Sequence, residues 1–124
     1  MPVGPQQVPI LVAAIASTNV VGTSTTPNGQ FTPGALPQPV IDNIGIQNGQ
    51  YFLLTDQTNP QQNGLWFADA NGPVAIYTFG QGNVNPNETY QSQPGNPGSQ
   101  NGNQLWGYTA QWRGTGNTPG FQLI

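Results

Sequence analysis

The sequence contains no cysteine, no histidine and no lysine. Only five of its 124 residues are charged: Asp42, Asp56, Asp69, Glu88 and a single cation, Arg113. Each absence removes a class of function. Without imidazole or thiolate there is no Cys/His metal site, no cysteine nucleophile, no Ser-His-Asp triad and no disulfide. One arginine cannot neutralise a run of phosphates, which excludes nucleic acid as a charge-bound partner. An anionic membrane surface is excluded for the same reason. The apolar stretch Val8 to Val21 is too short to cross a bilayer. No positive charge precedes it, and Pro5 and Pro9 break the sequence at its start, so it does not read as a secretory leader. The expectation is a protein with no cofactor, no bound metal and no enzymatic activity.

Amide and turn residues take the place of charge. There are 14 Asn and 16 Gln beside 17 Gly and 13 Pro. Such a composition approaches that of low-complexity chains, so an unstructured adhesive or matrix protein is one reading. Against it, the apolar residues, 35 % of the chain, fall in short clusters, and the high net charge typical of disorder is missing. The length suits a single domain over residues 1–124, with 1–21 either an N-terminal arm or a first strand.

The clusters read as strands. The first stretch, Val8 to Val21, is apolar, with Pro9-Ile10-Leu11-Val12-Ala13-Ala14-Ile15-Ala16 at its heart. Residues 19–39 are loop-like, because Pro removes a backbone donor and Gly costs entropy. Val40-Ile41 and Ile44-Gly45-Ile46 form one short strand or two. Tyr51-Phe52-Leu53-Leu54, Leu65-Trp66-Phe67-Ala68 and Val74-Ala75-Ile76-Tyr77-Thr78-Phe79 have the composition of core strands. The last two are joined through Asn71-Gly72, a hairpin signal of the type I′ kind. Residues 80–102 form a long polar segment, an exposed crown that includes a possible short strand at Thr89-Tyr90-Gln91. Leu105 to Trp112 alternates as a half-buried strand does, and Phe121-Gln122-Leu123-Ile124 is mostly apolar. Apart from the N-terminal run, no stretch offers a helical stripe free of Gly and Pro. The fold class is all-β, a small antiparallel sandwich or barrel with long Gly/Pro/Asn-rich loops.

Glycosidase chemistry needs two carboxylates flanking a bond, and the four acids qualify by type only. Asp56 and Asp69 sit beside turns, where Asp accepts backbone N–H bonds. The aromatics offer more. Trp106, Tyr108 and Trp112 on one strand face are candidates to stack on a neutral sugar ring, with nearby amides meeting its hydroxyls.

The stretch Gly49-Gln50-Tyr51-Phe52-Leu53-Leu54-Thr55-Asp56-Gln57-Thr58-Asn59-Pro60-Gln61-Gln62-Asn63-Gly64-Leu65-Trp66 resembles, without a gap, a pattern of bacteriophage virion proteins. In those head-decoration and tail-fibre-like modules Gly-Asp-Arg-Val-Leu-Leu runs into Lys-Asp-Gln-Thr and then Asn-Gly-Ile-Tyr. Ala14 to Val20 and Ile41-Asp42-Asn43-Ile44 are similar to the segments that lead into it. The family's Asp, Arg and Lys positions hold Gln50, Tyr51 and Thr55 here, so its ion pairs are not carried over. The resemblance implies a structural part of a virion. With no catalytic kit and no long repeats or heptads to build a shaft, the expected role is a capsid decoration (cement) protein. It would be a homotrimer on the outer capsid surface, bridging major capsid protein subunits. Ile10, Leu11, Val12 and Ile15 are the expected capsid or trimer contacts. The alternative is a tail or fibre receptor-binding protein that recognises a neutral glycan through Trp106, Tyr108 and Trp112.

Overall fold

The computed structural model describes residues 8–20, 38–111 and 118–124. Its N-terminal apolar run is one strand shared by two sheets. β1 (Ile10–Val12) and β2 (Ala14–Ala16) are separated only by a bend at Ala13. β1 lies parallel to β8 (Thr89–Ser92), and β2 lies parallel to β5 (Tyr51–Leu54). At the bend the Ala13 N–H donates to the Tyr51 carbonyl at 2.7 Å, so the backbone changes sheets without an orphaned donor.

Each sheet is completed by an antiparallel three-strand meander. β5 continues into β6 (Gly64–Asp69) and β7 (Gly72–Thr78), giving the sheet β2-β5-β6-β7. β8 continues into β9 (Leu105–Thr109) and β10 (Gly120–Leu123), giving β1-β8-β9-β10. The registers correspond: Phe52 faces Trp66 as Tyr90 faces Trp106, and Asp69 meets Gly72 as Thr109 meets Gly120. The all-β expectation holds, as an open sandwich. Consecutive strands pair antiparallel, and the shared N-terminal strand adds one parallel pair to each sheet.

A short hairpin, β3 (Val40–Ile41) and β4 (Ile44–Gly45), forms a third layer. Its Ile41, with Ile46 beyond the strand, packs on the face of the β2-β5-β6-β7 sheet that carries Ala14, Phe52, Leu54 and Trp66. The opposite face of that sheet, with Ile15, Leu53 and Leu65, meets Val12, Tyr90, Trp106 and Phe121. This sheet is therefore central, and β1-β8-β9-β10 is outer. A strand buried on both faces must be apolar at every position, which explains the unbroken Phe52-Leu53-Leu54 run. The outer sheet alternates because one of its faces is solvated.

The turns partly depart from expectation. Asn71-Gly72 is not a type I′ turn. Ala70 and Asn71 make the turn with φ below zero, the Asn71 N–H donates to Asp69 Oδ2 at 3.2 Å, and Gly72 alone takes a positive φ of 120°. Asp42 and Asn43 in the β3–β4 hairpin have φ of 50° and 64°, the paired left-handed residues a type I′ turn needs. The 80–102 segment is not all crown: β8 lies within it, with Tyr90 and Ser92 buried. Exposed loop remains on either side.

Candidate interaction surface

The eighteen-residue stretch that carries the resemblance forms β5, its connecting loop and the start of β6, at the centre of the molecule. Amides hold the loop. Asn63 Oδ1 accepts the Gln57 N–H at 2.8 Å, and Asn59 Oδ1 caps the 3-10 turn Pro60–Gln62 through the Gln61 N–H. Gln57, itself buried, accepts from the Val20 N–H and donates to the Thr18 carbonyl. The loop thus ties the stretch after β2 to the central sheet. The amides of Gln57, Asn59 and Asn63 all act on backbone groups.

Of the expected contact residues, Val12 and Ile15 are fully buried in the core between the sheets. They are therefore unavailable to a partner. Ile10 is half-buried against the same core, and Leu11, 64 % exposed, is the one that faces solvent. Alternation explains this split: successive side chains of β1 point to opposite faces. Within the chain the run forms β1 and β2.

Of the three aromatics of the glycan reading, the two described ones, Trp106 and Tyr108, do not form an exposed stacking platform. Trp106 is buried, and its Nε1–H donates to Gln104 Oε1 at 3.0 Å. Tyr108 is half-buried, with its ring tilted against Phe79 at 6.3 Å between centroids. β9 ends at Thr109, and Trp112 lies outside the described residues. What does form is a cleft of about 290 Å³ beside β10, with Trp106, Phe121 and Leu123 on its walls among Gln104, Gln111 and Gln122. It is neutral and amide-rich, and no sequence pattern announced it, because its walls come from three separated segments: Ser17, the stretch from Asn101 to Gln111, and Phe121 to Leu123.

A second cleft, about 350 Å³, opens where the β3–β4 turn meets the loop before β9, between Ser17, Asp42, Asn43 and Asn101. Asp42 is a clamp there. Its two carboxylate oxygens accept the N–H groups of Gln100 and Asn101 at 2.8 Å each, and Asn101 Nδ2 donates to the Ile15 carbonyl and Ser17 Oγ. Both Asp42 oxygens are therefore engaged in holding the hairpin to the core. Among the described residues no three acidic side chains come together. Tyr90, the buried phenol of β8, is pushed up to about 12 by burial, reinforced by Glu88 and Tyr77, and stays neutral.

The remaining surface features are apolar. Tyr51, Phe67 and Val74 lie opposite one another across β5, β6 and β7, with the Tyr51 and Phe67 rings 4.9 Å apart and Tyr51 and Val74 exposed. At the C-terminal strand Leu123 and Ile124 are 54 % and 67 % exposed. Alternation with buried partners was the only signal that Tyr51, Phe67 and Val74 carried, whereas the apolar run Phe121-Gln122-Leu123-Ile124 was visible in the sequence as a segment that docks in a sheet or on a partner. Compared with known proteins, the chain matches no family model, no curated protein and no solved structure.

Proposed function

We propose that this chain is a bacteriophage virion structural protein, a capsid decoration protein that binds major capsid protein subunits on the outer surface of the particle as a homo-oligomer. The observation that carries the reading is the combination of exposed apolar side chains, Leu11, Tyr51, Val74, Leu123 and Ile124, with a chain that has five charges in all. Such a surface has little ionic repulsion to resist assembly and few ions to desolvate when contacts form. The resemblance of residues 49–66 to virion modules supplies the setting, and the proposal includes no catalytic role. Repeated modest contacts from one oligomer to several capsomers add through effective concentration.

The test is co-sedimentation of the purified protein with undecorated capsids across a salt series. Binding is expected to change little with ionic strength, since few ion pairs exist to screen. Absence from the capsid fraction, or a steep loss of binding as salt rises, overturns the reading. The neutral cleft beside Trp106, with its glutamine walls, favours a second reading, glycan recognition by a tail protein, and a glycan array separates the two.

A further inference from the structure

We propose that the outer edge of β10 is a strand-addition site for a second copy of this chain, β10 pairing antiparallel with β10 about a two-fold axis at Gln122. The argument begins with which backbone groups point outward. The Ile124 N–H donates to the Leu105 carbonyl at 2.8 Å, and this pair continues the β9–β10 register. In an antiparallel ladder bonded and non-bonded pairs alternate, so Gln122 and Gly120 also face β9. The N–H and C=O of Phe121 and Leu123 therefore point away from the sheet, and no hydrogen bond from another described residue reaches them.

The corresponding strand of the central sheet, β7, shows what a guarded edge looks like. By the same alternation Pro73 and Ala75 point outward there, and Pro73 has no N–H to offer. The Ala75 carbonyl is taken by Gln81 Nε2 at 3.1 Å and the Ile76 carbonyl by Asn83 Nδ2 at 2.9 Å. β10 has Phe121 where β7 has Pro73, and no amide of another described residue covers it. Lysine, the common guard of exposed edges, occurs nowhere in the chain.

Self-pairing suits this strand. With the axis at Gln122, Phe121 of one copy bonds reciprocally with Leu123 of the other, which uses all the outward groups of both residues. Phe121 and Leu123 share a face, so the pairing sets an aromatic beside an aliphatic side chain, and exposed Leu123 is covered. The two Gln122 amides meet on the opposite face. Residues 118–124 carry no charged side chain to repel the second copy. A two-fold interface of this kind yields a dimer in place of the homotrimer expected from the sequence.

Sedimentation equilibrium on the full chain tests this, with Leu123→Pro as the decisive variant. That proline removes only an outward N–H, so the fold is expected to survive while the mass falls from two chains to one. Gln122→Pro, which removes an N–H used by β9, is expected to unfold the outer sheet instead. A wild-type mass of one or three chains at every concentration, or a Leu123→Pro protein that remains dimeric, overturns the proposal. If Leu123→Pro misfolds, amide exchange on the wild type decides: protection of the Phe121 and Leu123 amides should rise with concentration, and fast exchange throughout overturns it. Capsid binding by a monomer would remove this inference and leave the decoration reading in place.

Discussion

The central and outer sheets share a connectivity and differ in almost everything packed around it. Each has three antiparallel strands joined in sequence and takes its fourth strand from one half of the N-terminal segment. Matched by register, Phe52 and Trp66 correspond to Tyr90 and Trp106, and Leu53 corresponds to Gln91. The central sheet is covered on both faces around Phe52, Leu53, Leu65 and Trp66, leaves Tyr51 and Val74 exposed, and is guarded at its free edge. The outer sheet is covered on one face and, among the described residues, open at β10. Topology alone therefore does not decide polarity; the number of buried faces does. Where Leu53 lies between two layers, its counterpart Gln91 lies on a face that has only one.

The strand common to both sheets gives the largest test of this comparison. Deleting residues 1–16 removes β1 and β2 together, with Val12 and Ile15 from the inter-sheet core and Ala14 and Ala16 from the other. The two larger side chains alone are worth roughly 2 kcal/mol each, against a total stability of about 5–15 kcal/mol for an ordinary domain. The truncated chain is expected to lose its cooperative unfolding transition. Deleting only residues 1–12 takes the outer sheet's share, so amide protection should fall first in β8 and β9 while β5 and β6 keep more of theirs. A 1–16 deletion that still melts cooperatively would refute the shared-strand account.

A matched pair of substitutions comes next. Leu53→Gln buries an amide with no partner at a fully enclosed position. The unmet polar group costs about 1–3 kcal/mol, and the lost leucine contact adds about 2 kcal/mol. Gln91→Leu, at the corresponding outer position, should change stability by less than about 0.5 kcal/mol. Urea unfolding measures both through the midpoint at constant slope. Similar losses for the two variants would mean that the sheets are equally covered.

The same contrast explains how much was legible in the sequence. Tyr51 to Leu54 and Leu65 to Ala68 were recognisable as core strands because two buried faces leave a continuous apolar run. Leu105 to Thr109 was recognisable through its alternation. The sharing of Ile10 to Ala16 between two sheets was not legible, since a bend at one alanine leaves no compositional mark. β8 was legible only as a short strand at Thr89-Tyr90-Gln91 inside a polar segment, because Thr89, Gln91 and Ser92 surround the single large core residue Tyr90. Asp42 looked like a chemical candidate by type, yet its two acceptors hold backbone N–H groups nearly sixty residues away. The open edge of β10 depends on strand order and hydrogen-bond phase, neither of which a residue pattern encodes.

The smallest expected effect lies at Tyr90, which differs from its counterpart Phe52 by one hydroxyl. That hydroxyl is buried without a hydrogen-bond partner, and the ring meets Phe121 edge-on at 5.6 Å. Tyr90→Phe makes the two sheets alike at this point and should be neutral to slightly stabilising near pH 7, because the unpaired polar group disappears and the ring contact remains. The difference should then grow with alkali. Burial, with help from Glu88 and Tyr77, raises the Tyr90 phenol from its ordinary 10.0 to about 12 in the folded chain. Above pH 10 the unfolded chain releases this proton while the folded chain retains it, so the unfolded state binds fewer protons and stability falls as pH rises. This contribution is complete below pH 10 and is lost progressively towards pH 12. Tyr90→Phe abolishes it. Unfolding midpoints measured across that range should show a wild-type deficit that widens from pH 10 to pH 12. A wild-type-to-variant difference independent of pH would show that the Tyr90 hydroxyl reaches water, and the outer sheet would then be more open on its inner face than its register with Trp106 requires.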